Sequence, residues 1–404
     1  MPTTRTPTLT PATTPASALA RALEPLTAEE FLAEIWERRP LHVPRAVPGR
    51  FDDLFSAEDA ERLICDGGLR LPGFRLVKAG ERLHPSTYTT DLSWRPSAFT
   101  GVAEVDRVLA EFEGGATIVL QGLHLSWTPL ARFCRRLEAE LGHPVQTNAY
   151  LTPRCSQGLP VHHDTHDVLV LQVSGRKRWL VYEPALELPL RDQRYSPELG
   201  GPGETVLDVE LAPGDTLYLP RGWLHEAVTS EEDSLHLTIG VNVPTRLDAL
   251  RAALERCAED VEFRRGLTAD GGLPVDGLLE RLAARLEPEE VRGTMRSRFL
   301  GGRRPILDGQ LTQLRALDEL EAETLVERRQ TVIAELVSNG DGTVGLAFEG
   351  KRVLLPGGAR AALELPVSAD EPFRPADLPG LDAASRLVLV RRLVREGFLR
   401  VVSP

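Results

Sequence analysis

The sequence predicts a mainly β domain of short antiparallel strands, followed by an all-helical segment and a small winged-helix-like module of mixed helix and strand. Three observations carry this. Residues 144–243 alternate short apolar runs with Pro/Gly corners, the pattern of an antiparallel sandwich or barrel. After Pro244 the corners thin out and leucines recur at spacings of three and four. From Thr324 onward helical and strand-like stretches alternate. The expected division is a leader without structure over 1–22, a β-rich domain over 23–243, a helical segment over 244–322 and a C-terminal module over 323–404. A chain of 404 residues has room for two or three domains.

In chain order, the stretch from Met1 to Ala20 is rich in Thr, Pro and Ala without an apolar block, unlike a secretory signal. Thr27 with Glu30 has the capping-box pattern for a helix through Trp36, which ends before Pro40. Short strands are expected near 74–77 and 117–121, and a helix over about 129–141 closed by Gly142. Residues 167–173 are apolar at almost every position. Ser174-Gly175 then reads as a hairpin turn into 176–182. Residues 206–211, the corner Pro213-Gly214, and the runs 216–219 and 235–243 continue the strand pattern.

Thr245 and Asp248 signal the next helix, along which Leu247, Leu250, Leu254, Cys257 and Val261 form a narrow apolar seam. Leu279, Leu282 and Leu286 repeat the spacing. Such seams suit helix packing within the chain or between two copies of it. A helix is expected from Thr324 through Leu336, then strands 344–348 and 352–355 about Glu349-Gly350, and a last helix from Ala384 to Gly397.

Composition narrows the function classes. Apolar residues at 42% and charged residues at 26% exclude whole-chain disorder. No apolar run reaches the roughly 18 residues of a membrane helix. The net charge of −12 disfavours nucleic acid and favours basic partners. Residues 324–404 hold eleven basic and ten acidic residues, so direct DNA binding is not expected there. Cys65, Cys134, Cys155 and Cys257 contain no CxxC pair, which fits a reducing cytosol.

Five of nine histidines fall between 162 and 236: His162, His163, His166, His225 and His236. In an extended segment, residues i and i+2 share a face, so His162 and Asp164 can converge on one ion. His225 follows another strand. Two imidazoles and a carboxylate match the facial triad of non-haem Fe(II) oxygenases, although catalytic zinc uses a similar donor set. His163 and His166 are read as solvated or supporting residues. Lysine occurs only at Lys78, Lys177 and Lys351.

The flanking motifs resemble a known family. Asn148-Ala149-Tyr150-Leu151-Thr152-Pro153, Ser156-Gln157-Gly158, His162-His163-Asp164 and Val170 through Trp179 are similar to the JmjC-type ribosomal oxygenases, or cupin-4-like proteins. Gly214 through Gly222 with His225, and Trp36-Glu37-Arg38-Arg39-Pro40-Leu41, extend the likeness over most of the chain from about residue 24. The resemblance implies a double-stranded β-helix of JmjC/cupin type. It also implies Fe(II), 2-oxoglutarate and O2, and hydroxylation of a protein side chain, with a basic ribosomal protein as the favoured substrate.

His162, Asp164 and His225 fall on the iron ligands, and Lys177 on the cation that pairs with the distal carboxylate of 2-oxoglutarate. Asn148, Tyr150 and Thr238 fall on polar residues lining that pocket. The resemblance further implies a homodimer through 244–322. Three other readings are compatible with these motifs: the same cofactors acting on a peptide natural product, the same cofactors acting on methylated lysine, and an inactive cupin-fold binding protein. The expected setting is cytoplasmic, away from membranes.

Overall fold

The computed structural model describes residues 17–94 and 97–402. Most of the expected leader, residues 1–16, lies outside the described residues. Its remainder does not lack structure: Ala18–Leu23 (α1) is a helix capped by Ser17, with Leu19, Ala22 and Leu23 buried. Apolar burial on one face overrides the low-complexity look of the neighbouring stretch. Ala28–Glu34 (α2) has both hydrogen bonds of the Thr27/Glu30 capping box. It ends before Trp36, because Glu37 takes a left-handed φ of 59°.

The chain continues through Leu41–Val43 (β1), Ala57–Cys65 (α3), Phe74–Lys78 (β2), Glu81–Arg82 (β3), Thr89–Trp94 (β4), Ser97–Ala103 (β5) and Val105–Glu113 (α4). Thr117–Leu120 (β6), Leu123–Ser126 (α5), Thr128–Leu141 (α6), Val145–Thr152 (β7), Asp167–Ser174 (β8), Lys177–Pro184 (β9), Thr205–Leu211 (β10), Thr216–Leu219 (β11), Trp223–Thr229 (β12) and Ser234–Val241 (β13) follow. An eight-stranded sheet in the order β1-β11-β8-β13-β7-β6-β2-β3 packs against a three-stranded sheet, β10-β9-β12. Val168, Val170, Leu217 and Leu219 from the first meet Trp179, Val181 and Leu211 from the second in a buried core.

The expected hairpin of 167–173 with 176–182 does not form. β8 pairs with β11 in the large sheet, whereas β9 pairs with β10 and β12 in the small one. Gly175, at φ 61°, carries the chain across, and a Cβ there would sit 1.8 Å from the Asp233 carbonyl oxygen. The same crossing separates β10 from β11 and β12 from β13. β8 is buried on both faces and so reads as a near-continuous apolar run, which beside a Ser-Gly turn looks like a hairpin strand in sequence.

Register then aims the functional side chains. Lys177, Trp179 and Val181 stand opposite Thr229, Ala227 and His225 across β9 and β12, and directly opposed residues share a face. The irregular segment 155–164 runs along the free edge of β12. Gln157 bridges Val228 there, and His162 bridges His225.

By contacts, the chain forms two compact units. One comprises described residues 17–121, Asn148–Pro189 and Arg194–Ile239; the other comprises Gly122–Thr147, Leu190–Gln193 and the described residues from 240 to 402. Residues 122–147 belong to the second of these units. In the second unit Glu138 accepts hydrogen bonds from Arg135, Arg303 and the Val145 amide, and Arg303 also donates to Glu349. All four side chains are buried, so the charges are paired rather than solvated.

Arg246–Cys257 (α7), Val275–Ala283 (α8), Pro288–Gly302 (α9) and Gln310–Arg315 (α10) make up the helical segment. The expected seam splits on α7. Ala252, Ala253 and Cys257 are buried, while Leu250 and Leu254 are 43% and 49% exposed. The expected helix through Leu336 is absent; Val326–Arg328 (β14) and Ala334–Ser338 (β15) are strands instead. β14 is claimed by a partner some 70 residues away in sequence, Leu399–Val401. Thr343–Phe348 (β16) and Lys351–Pro356 (β17) pair as expected. Arg360–Ser368 (α11), Ala383–Glu396 (α12) and Leu399–Val401 (β18) complete a core built around Leu346, Phe348, Leu363, Leu393 and Phe398.

Candidate metal centre and adjoining cavity

The site begins with one backbone pair. The His162 amide donates to the His225 carbonyl at 3.1 Å, and the His225 amide donates back to His162 at 2.8 Å. A hydrogen-bonded antiparallel pair sets its two side chains next to each other, and the imidazole centroids lie 4.5 Å apart. Asp164, two residues on, shares the face of His162. Its Oδ2 lies 3.8 Å from His225 Nε2. One ligand atom from each of the three lies within 4.8 Å of the others, the only such cluster among the described residues.

The donors suit a metal ion. His162 Nδ1 donates to the Pro160 carbonyl at 2.8 Å and His225 Nδ1 to the Trp223 carbonyl at 3.0 Å. Each ring is braced by the carbonyl two residues before it, which accepts from Nδ1–H, keeps the proton on Nδ1 and leaves the Nε2 lone pair for a ligand. Burial, then the neighbouring His162, pushes His225 well below the ordinary imidazole pKa, so it is neutral at pH 7. Burial alone would raise the Asp164 carboxyl, but the imidazoles of His166, His162, His225 and His163 outweigh it and hold it ionised.

A cavity of about 260 Å³ adjoins the three residues. Lys177, Tyr150 and Thr238, all expected at the site, line it. Asn148 is not among the lining residues; it hydrogen-bonds the Tyr150 hydroxyl, as Arg75 does. Lys177 is buried, and its ammonium donates to Thr152 Oγ1 at 2.8 Å. No carboxylate among the described residues pairs with it, and desolvation brings its pKa down to about 7. It keeps two donors for a ligand.

Trp179, His236, Arg75 and Thr117 also line the cavity, although the spacing of His162, Asp164 and His225 alone does not single them out. His236 stacks on Tyr150 at 5.0 Å and meets the edge of Trp179 at 5.5 Å. Trp179 Nε1 and His236 Nδ1 are buried without a hydrogen-bond partner among the described residues, the condition of groups that await a polar ligand. A period-2 count could have found two of the missed groups. His236 shares a strand face with Thr238, and Trp179 shares one with Lys177. His163, read as solvated or supporting, is 4% exposed and lies edge-on to Tyr195.

Residues 123–249 match the JmjC domain. The mainly β architecture expected from that resemblance is the one found. The chain is 32% identical over 309 residues to ribosomal oxygenase 2 of Rattus norvegicus, covering 70% of this chain and 63% of that protein. It is 31% identical over 262 residues to the bifunctional lysine-specific demethylase and histidyl-hydroxylase NO66 of Drosophila persimilis, covering 62% of this chain and 36% of that one. The chain thus spans less than two thirds of the length of these curated relatives. Among solved structures it is similar in fold to YcfD, a ribosomal oxygenase from Escherichia coli determined in complex with cobalt and 2-oxoglutarate. The TM-score is 0.57 at 19% identity, covering 94% of this chain and 99% of that one.

Removing one imidazole from the cluster leaves two potential donors of three. His162→Ala and His225→Ala should each lose Co(II) binding in a titration followed by visible absorption, while His163→Ala and His166→Ala should retain it. Parent-like binding by His225→Ala would contradict the assignment.

Proposed function

We propose that this chain is an Fe(II)- and 2-oxoglutarate-dependent dioxygenase that hydroxylates a protein side chain, on a basic ribosomal protein. The observation that carries the reading is the pairing of two sites in one cavity. At one end His162, Asp164 and His225 present a facial donor set; at the other, Lys177 is a buried cation without a carboxylate. A dianionic keto acid needs a metal at one end and a fixed positive charge at the other. The names of the curated relatives and the ligands of YcfD support the same choice. The intact donor set disfavours an inactive cupin-fold binding protein.

When bound, Fe(II) and 2-oxoglutarate supply the oxidising chemistry. The chain's own residues do the rest. His162 and His225 would hold the ion through Nε2, and Asp164 through a carboxylate oxygen. Lys177 holds the distal carboxylate. Thr238, His236 and the Tyr150 hydroxyl, steadied by Asn148 and Arg75, present polar groups around the cavity. Val168 and Trp179 wall the site with apolar surface and limit water. The acidic surface favours a basic protein substrate.

We also propose a homodimer through the helical segment. The support is its exposed apolar surface: Leu250 and Leu254 one turn apart on α7, with Val261, Val275 and Leu279 each about half exposed. The winged-helix-like C-terminal module is read as not binding DNA, because its charges nearly cancel. A reducing, cytoplasmic setting suits four free cysteines, and no described helix is long and apolar enough to cross a membrane.

Three measurements test these readings. Purified protein with Fe(II) and 2-oxoglutarate should add one oxygen atom to a ribosomal protein, seen by mass spectrometry, and ribosomes from a deletion strain should lack it. Identical ribosomal masses with and without the chain would overturn the substrate assignment. In the free protein Lys177 loses its charge as pH rises through about 7. Affinity for 2-oxoglutarate should therefore fall above pH 7, by up to about tenfold per unit until the raised pKa of the complex is reached. A flat profile from pH 6 to 9 would contradict the role of Lys177. Leu250→Glu with Leu254→Glu should shift sedimentation toward monomer, and a monomeric parent at micromolar concentration would refute the dimer.

A further inference from the structure

The motif from Trp36 to Leu41 takes no part in the cavity, yet it packs on Tyr218 of β11 and reaches Arg221. Trp36 stacks on Tyr218 with ring centroids 5.7 Å apart, and the Glu37 amide donates to the Tyr218 hydroxyl oxygen at 2.9 Å. That hydroxyl donates to Asp167 Oδ1 at 2.7 Å. Arg221 Nη1 donates to Asp167 Oδ2 at 2.9 Å and also to Glu37. Tyr218 and Asp167 are fully buried and Arg221 is 6% exposed. None of these residues lines the cavity.

Their positions along the chain show what they hold. Asp167 lies three residues past Asp164, and Arg221 four residues before His225. The two segments are tied at the His162–His225 pair and again where the Gly222 amide donates to the Asp164 carbonyl at 3.0 Å. Between those ties one strand has the single residue His163, and the other has Trp223 and Leu224. The register of β12 against β9 shifts at the same two residues. An extra residue of this kind re-aims the strand but breaks the regular ladder. Ladder hydrogen bonds alone therefore do not set the angle between the segments. A buried ion pair adds little net stability, so its use here points to geometry.

We propose that the cluster of Asp167, Arg221 and Glu37, capped by Tyr218, is a strut that holds the two segments in place across the bulge and so positions Asp164 against His225. The proposal rests on the reading of His162, Asp164 and His225 as metal ligands. Asp167, Arg221 and Glu37 are positioning residues, acting through the ligands they brace.

Asp167→Asn keeps the acceptor for Tyr218 but loses the charge. Arg221→Lys keeps the charge but replaces the planar fork with a single ammonium that cannot serve both carboxylates in the same way. The Co(II) dissociation constant and visible spectrum are measured for each variant whose near-ultraviolet circular dichroism matches the parent, beside the unfolding temperature of the metal-free form. Co(II) affinity should weaken by about tenfold or more, with an altered absorption band. Should either variant fail to fold, Glu37→Gln, at the half-exposed end of the strut, should give a smaller loss and the same spectral change. Folded variants with the parent's affinity and spectrum, differing only in unfolding temperature, would overturn the strut. Failure of the parent itself to bind Co(II) would instead overturn the metal reading and the strut with it.

Discussion

The two backbone hydrogen bonds exchanged by His162 and His225 are the constraint on which the rest of the site depends. They join an irregular segment to the edge of β12 at one residue pair, and that pair carries both imidazoles. Because strands alternate faces, Asp164 then falls on the same side as His162. Because β12 pairs with β9 in a defined register, Ala227 and Thr229 continue the face of His225, and Trp179 and Lys177 lie opposite them. The donor cluster and the buried cation thus belong to one continuous inner surface. A slip of one residue between 162 and 225 would turn an imidazole outward and separate the donor cluster from the buried lysine.

Much of this surface was legible from residue spacing. His162 and Asp164 at i and i+2, followed by a histidine just past a Pro/Gly corner, state a donor set before any fold is known. Lys177 stands out because lysine is scarce in the chain. The tautomers were not legible, since they depend on carbonyls of Pro160 and Trp223 that fold back on each ring. Nor was the place of Asn148, which reaches the cavity only through the Tyr150 hydroxyl. Sequence registers residue type and spacing, whereas these contacts follow from backbone curvature.

The errors of fold share one cause, the non-local choice of partner. Residues 167–182 read as a hairpin because two apolar runs flank a Ser-Gly turn, yet each run pairs with a more distant strand in a different sheet. Residues 324–336 have helical composition, but β14 completes a sheet with β18 near the end of the chain. Along α7 the leucine spacing is real, but alanines and Cys257 occupy the buried stripe and the larger Leu250 and Leu254 are left outside. Arg303, Glu138 and Glu349 look like surface charges in sequence and become a buried network once three distant segments meet. Local propensity is outweighed in each case by what the strand or helix packs against.

In the proposed reading, one cavity binds a metal ion and a dicarboxylate at opposite ends. Anomalous X-ray diffraction from crystals grown with Mn(II) and 2-oxoglutarate tests it most directly. The account predicts an anomalous peak within bonding distance of His162 Nε2, His225 Nε2 and an Asp164 carboxylate oxygen, with the far carboxylate of 2-oxoglutarate against Lys177 Nζ. A metal bound elsewhere, or a cosubstrate whose far carboxylate turns away from Lys177, would contradict it.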